Sequence, residues 1–265
     1  LKLVAWKGFM SDKEMTEKTL LDEIVNCPHA QQCLGDSAAE NLCRTIVEYQ
    51  NTLSLQKFQV PEPWSGEIEK APILFLSSNP SIGGDEAYPT WDWSSKEVHD
   101  YFNYRFEGGH KTWILDGTKS LQTDGTYSRV TQFWAAVRKR AIELLQRDVI
   151  PGFDYALTEI VHCKSHHEIG VEQAQEQCVQ AYLMRILELA KARVIVVLGT
   201  PARKVIQREF EIPPEKLLSE LIEIGGNQRL FTFLPHPNAR ANRSFAKCLQ
   251  NDELERLRAF LRHNQ

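Results

Sequence analysis

Two loops far apart in the chain carry residues able to do chemistry. The first, Ser77-Ser78-Asn79-Pro80-Ser81-Ile82-Gly83-Gly84-Asp85, follows the apolar run Ile73 to Leu76. The second, Pro235-His236-Pro237-Asn238-Ala239, follows the apolar run Leu230 to Leu234. An amide can position water, a carboxylate can take up a proton, and an imidazole can donate a hydrogen bond to a departing group. In open α/β sheets the ligand crevice lies beyond the carboxyl ends of the strands, so two strand-ending loops of this kind are expected to share one rim.

The elements that must position these loops follow from hydrophobic periodicity. Ile73 to Leu76, Tyr155 to Val161, Arg193 to Leu198 and Leu230 to Leu234 read as buried strands. Helices are expected over Glu14 to Val25, Ala38 to Leu53, Thr131 to Gln146, Val171 to Ala190 and Ser244 to Leu261, with a further one after Gly199-Thr200-Pro201. Strands separated by helices imply an α/β fold, a three-layer α/β/α sandwich on a central four-stranded parallel sheet. Residues 1–60 form an N-terminal helical segment, Phe58 to Pro72 is a connector, and residues 61–265 form the α/β/α domain. Between the first two strands lies a long excursion rich in aromatics, from Tyr88 to Trp113, read as a functional loop.

Composition narrows the class. Apolar residues make up 42% and charged residues 25%, as in globular proteins, and no apolar run reaches the length of a membrane span. Leu1 to Met10 lack the pattern of an export signal, so a cytoplasmic or nucleoid-associated location is expected. The net charge of −4 argues against a uniformly basic surface, but Arg138-Lys139-Arg140, Arg203-Lys204 and Arg240/Arg243/Lys247 are local basic clusters. No phosphate-binding glycine motif of the P-loop or dinucleotide type is present.

Taken in order, the loops resemble the uracil-DNA glycosylase superfamily over roughly Ala71 to Leu261. Ser77-Ser78-Asn79-Pro80-Ser81 is similar to the family's water-positioning motif, and Pro235-His236-Pro237-Asn238-Ala239, followed by Arg243 and Phe245, to its His-Pro motif and DNA-penetrating loop. V-I-V-V-L-G-T-P-A resembles its strand-Gly-x-x-Ala element. The resemblance implies a monofunctional DNA glycosylase, a monomer with DNA as its partner, which turns a pyrimidine out of the duplex and hydrolyses its N-glycosidic bond. In that scheme Asn79 positions water, with Asp85 as the alternative base, and His236 donates to the departing base. Ser78 and Asn238 lie in the binding loops, and one of Tyr88, Trp91 or Phe133 is the aromatic floor. Arg240, Asn242 and Arg243 contact DNA.

The cysteines extend the likeness. Cys163 and Cys178 match the pair that binds an iron–sulfur cluster in the cluster-containing branches, and Cys27 and Cys33 are the natural partners for a structural [4Fe–4S] site, with Cys43 able to replace one of them. One position departs from the family. Glu159 stands where Asn commonly reads uracil, and a carboxylate accepts only, which suits the amino group of cytosine. A cytosine-derived base, enlarged at C5, is therefore the expected target, for repair or for attack on base-modified foreign DNA. A protonated Glu159 keeps uracil as an alternative. Three other readings remain: a glycosylase-like module that binds DNA without cutting it, a nucleotide-binding α/β protein, which the missing glycine motifs disfavour, and a zinc hydrolase built on His162, Cys163, His166 and His167.

Overall fold

In the computed structural model, which describes residues 16–35, 40–53, 55, 57–106, 111–241 and 243–262, a six-stranded sheet forms the middle layer. Its inner strands β5 (Tyr155–Glu159), β2 (Ile73–Ser77), β6 (Val194–Leu198) and β8 (Asn227–Leu234) run parallel in that spatial order. Short antiparallel strands close the two edges, β1 (Trp64–Ser65) beside β5 and β7 (Ile222–Ile224) beside β8. These edge pieces are additions to the expected four strands; two or three residues are too few to show a period of two.

Both faces of the inner strands are apolar, and their alternation divides the core. Leu74, Leu76, Ile195, Val197, Phe231 and Phe233 point into one layer, and Ile73, Phe75, Val194, Val196, Leu230 and Leu234 into the other. The first layer holds α1 (Glu17–Val25), α2 (Pro28–Cys33), α3 (Arg44–Asn51), α6 (Val171–Cys178), α7 (Met184–Leu189) and α8 (Thr200–Glu209). Helices α5 (Gln132–Leu145) and α10 (Asn251–Arg262) fill the second. The N-terminal helices share the first core: Leu20, Ile24, Ile46 and Val47 are fully buried in it. Gly170, at φ +76°, lets its loop approach α3 so closely that a Cβ there would stand 2.4 Å from Ile46 N.

The aromatic excursion is ordered by its own signals. Ser94 and Glu97 form a capping box that starts α4 (Ser95–Tyr104), followed by a small ribbon of β3 (Ile114–Leu115) and β4 (Lys119–Ser120). The expected C-terminal helix is broken at the extended Leu249 into α9 (Phe245–Cys248) and α10, and Gln250 N donates to Glu253 Oε2 where the chain restarts. The helix expected over 171–190 contains a π-helical stretch, Val179–Leu183. No helix among the described residues is long and apolar enough to cross a membrane.

Candidate active site

The chain leaves β2 toward β5 and leaves β6 toward β8, so a crevice opens where the two connections diverge, at the carboxyl edge of the sheet. There a cavity of about 460 Å³ is lined by Asn79, Asp85, Phe133, Glu159, His236 and Asn238 together. Backbone pairing sets the height of the two sides: Ser77 lies opposite Glu159, and Leu198 opposite Leu234, two residues before His236.

Asn79 and His236 are each oriented by a neighbour. Asn79 Nδ2 donates to Ser165 Oγ at 3.1 Å and to Pro80 O at 3.0 Å, which leaves Oδ1 to accept from water. Ser165 reaches Asn79 because the chain turns back through the left-handed residues His167, Glu168 and Gly170, and Glu168 accepts from Ser78 Oγ. On the other side, Asn238 N–H donates to His236 Nδ1 at 3.2 Å. A neutral ring accepting at Nδ1 carries its proton on Nε2, so Nε2–H is the donor. Burial holds the His236 pKa below its ordinary value, against an opposing pull from Glu168. The Phe133 ring lies 5.5 Å from the imidazole, tilted by 31°. Gly199, at φ +87°, supports the loop from below; a Cβ there would press to 3.2 Å of His236 Cβ.

Glu159 forms the floor, buried, with Ser77 Oγ donating to its Oε2. Burial raises its pKa from 4.5 to about 8, and the neighbouring Glu62 adds to the rise while Ser77 opposes it. At neutral pH the neutral acid therefore predominates, and it donates as well as accepts, unlike the carboxylate assumed from sequence. Because the folded form holds this proton more tightly than the unfolded chain, its stabilising effect is complete below pH 4.5 and is lost as pH rises through about 8. Glu159→Gln abolishes the titration. In urea unfolding, the variant is expected to gain on the wild type by about 3 kcal/mol between pH 5 and pH 8, at about 1.4 kcal/mol per pKa unit. A constant difference across that range would contradict the buried neutral acid.

Behind the floor lies an ionic network with no sequence signal beyond charges set among aromatics. Arg105, 1% exposed, donates to Glu62 Oε1 at 2.8 Å, Ser65 Oγ at 2.7 Å, Glu86 Oε1 at 3.1 Å and Tyr101 Oη at 2.8 Å. Lys164 Nζ lies 3.1 Å from Glu86 Oε2. Burial pushes the Glu86 pKa up, but Lys164 and Arg105 outweigh it and hold the carboxyl below its ordinary value. Glu62, Glu86, Arg105 and Lys164 all reach the cavity wall, with Ser77, Gln122, Ser128 and Arg129 around them. Arg105 Nε is buried without a hydrogen-bond partner.

Several sequence expectations are corrected. Tyr88 does not line the cavity: its Oη donates to Glu62 Oε2 at 3.1 Å and its face carries Lys164 Nζ, so it supports the wall from behind. Trp91 stacks on Phe58 at 4.9 Å and donates to Val25 O, tying α1 to the core. Phe133 is the one of the three aromatic candidates at the cavity, joined by Trp134, which lies next to it on α5 and was missed. Ser78 is turned to Glu168, and Ser77 takes its place on the wall. Asp85 stands exposed at the rim. Arg240 and Arg243 are exposed beyond the His236 loop, and Asn242 lies outside the described residues. His162 Nδ1 and His166 Nε2 face the carbonyls of Glu62 and Ile82 rather than a common centre, which removes the support for a zinc site there.

Five cysteines lie near one another, and Cys163 stands two residues before Ser165, which holds Asn79. Cys27 caps α2 and Cys33 ends it, Cys43 caps α3, Cys163 follows β5 and Cys178 ends α6. All five are buried and free of disulfides. Burial, followed by the other four thiols, pushes the Cys163 pKa well up, and burial brings Cys178 to about 12, so without a cation these two sulfurs stay protonated. Among the described residues no three His, Cys, Asp or Glu side chains are arranged around one ion. Thiols alone are the donor type that holds an iron–sulfur cluster, and the four other cysteines are near enough to Cys163 to act on its thiol. Cys43 Sγ donates to Gln177 Oε1 at 3.2 Å, and the side chains of Cys27 and Tyr182 are hydrogen-bonded to each other. No protein-family model matches the chain, and no curated protein matches it.

Proposed function

We propose that the chain is a monofunctional DNA glycosylase acting on a modified or damaged pyrimidine. The observation that carries this reading is the convergence of Asn79 and His236, from loops at the two ends of the α/β domain, on one cavity with an aromatic side and an acid floor. Breaking an N-glycosidic bond leaves cationic character on the sugar and negative charge on the base. His236 Nε2–H stabilises the departing base by hydrogen bonding to its O2, as a preorganised donor does where charge develops. Asn79 Oδ1 holds a water at the sugar carbon; an amide cannot deprotonate it, and a largely dissociated transition state does not require that. Phe133 and Trp134 flank the extruded base.

Glu159 reads the base edge. As the neutral acid it matches cytosine, its O–H donating to N3 and its carbonyl accepting from N4, and it also matches uracil with the two roles exchanged. The cavity extends past the floor to Arg105, Lys164, Glu62 and Glu86, whose charges compensate one another. This favours a cytosine-derived base enlarged at C5 by a polar group over uracil, which would leave that polar space unpaired. Release of uracil and of 5-substituted cytosines from synthetic oligonucleotides tests the choice. The enlarged cytosines should be released faster, with Glu159→Leu, which removes donor and acceptor together, slowing them on the order of tenfold or more, the worth of one bidentate base contact. Uracil released as fast as the enlarged cytosines would sink the cytosine reading.

A structural [4Fe–4S] cluster on Cys27, Cys33, Cys163 and Cys178 belongs to the same proposal. It would fasten α2 and α6 to the loop whose Ser165 holds Asn79. Anaerobically purified protein is expected to be brown and to contain iron, and Cys163→Ser to lose both colour and iron while Cys43→Ser keeps them; a colourless, iron-free wild type would overturn the assignment.

A further inference from the structure

The basic run Arg138-Lys139-Arg140 has no part in the site described so far. Along α5, Gln132, Ala135, Ala136, Lys139 and Arg140 recur at helical spacing and share one face, while Phe133 and Trp134 face the base cavity. The His236 loop divides in the same manner: His236 and Asn238 enter the cavity, and Pro235 and Pro237 turn the other way. On that other side lies a second cleft of about 170 Å³, closed by Arg243. The first turns of α5 and the His-Pro loop thus form a partition with the base cavity on one side and a basic cleft on the other. Two small residues, Ala135 and Ala136, keep the cleft wall low. Arg140 is held by Glu143 at 3.0 Å, but Lys139 and Arg243 have no ion-pair partner among the described residues and are exposed.

We infer that this cleft is a phosphate subsite, in which Lys139 and Arg243 hold a backbone phosphate flanking the extruded nucleotide. The inference rests on the glycosylase reading for the direction of the strand: a base inside the cavity places its sugar at the lip near Asn79 and His236, and the backbone must then cross the partition. Two uncompensated cations flanking a shallow slot match a phosphate diester, and the chain's net negative charge makes such a local concentration the means of holding DNA.

The test is binding of a fluorescein-labelled duplex carrying a tetrahydrofuran abasic analogue, titrated at several salt concentrations. Lys139→Gln/Arg243→Gln is expected to weaken binding about tenfold and to lower the slope of log affinity against log salt by about one unit, the loss of one phosphate contact. A methylphosphonate at one of the two phosphates flanking the analogue should weaken the wild type similarly and the double variant no further. Lys191→Gln/Lys204→Gln, with the same change in net charge, should leave the slope unchanged. An unaltered slope in the first variant, an equal loss in the control, or additive effects of variant and methylphosphonate would overturn the subsite and leave the glycosylase reading standing. A wild type that does not bind the duplex would overturn both.

Discussion

His236→Ala is expected to slow base release on the order of a hundredfold to a thousandfold, mainly in kcat, with DNA affinity little changed. The ring has one free donor, Nε2–H, because Nδ1 is occupied by the Asn238 N–H, and removal of one preorganised donor to developing negative charge has a cost of that order. Burial holds the ring neutral, so its donor is present throughout the neutral pH range and His236 itself should give no rate step between pH 7 and pH 8. Single-turnover rates on duplex substrate measure this. A loss below threefold would show that the imidazole is not aimed at the departing base.

The second large effect concerns stability. Arg105→Met removes the cation shared by Glu62 and Glu86 while the side chain remains long enough to fill the space. Lys164 still faces Glu86, but Glu62 loses its charged partner at 2.8 Å. Breaking a buried ion pair from one side costs about 3–5 kcal/mol because the remaining charge stays uncompensated, a large part of the total of about 5–15 kcal/mol for a typical fold. Equilibrium denaturation of the variant should show that loss, and Glu62→Gln/Arg105→Met should recover part of it. A loss below about 1 kcal/mol would mean that the network is solvated and does not stiffen the cavity wall.

The contrast between Asn79 and Arg105 explains how much of this site could be seen in the sequence. Asn79 and His236 were legible because each follows a strand that ends in mostly apolar residues and each stands beside Pro, a local pattern that sets its height at the sheet edge. The four inner strands were legible for the same reason: burial on both faces gives Val194–Leu198 an uninterrupted apolar run. Arg105, Glu62, Glu86 and Lys164 come from four separate stretches, and only tertiary packing brings them together. Choosing among the aromatics failed for a related reason. Tyr88, Trp91 and Phe133 are similar as residue types, and what separates them is the direction of the chain: Trp91 turns back to α1, Tyr88 lies beneath Lys164, and Phe133 stands on the first turn of α5. Helix α4 did have a local signal, the Ser94/Glu97 capping box, but the surrounding aromatics masked it as loop.

The cysteines lie between these extremes. Sequence spacing relates Cys163 to Cys178 but cannot rank Cys27, Cys33 and Cys43, since all three fall within a few turns of short helix. In space all three are buried and all three lie near Cys163, so the colour and iron content of the single Cys→Ser variants make the distinction.

Mass-spectrometric detection of free base after incubation with duplex DNA containing 5-substituted cytosines tests the central claim most directly. The wild type should release the base and leave an intact abasic strand, and His236→Ala and Asn79→Ala should release it far more slowly. Binding of that DNA with no base released from any cytosine- or uracil-containing duplex would contradict catalysis and leave only a DNA-binding module.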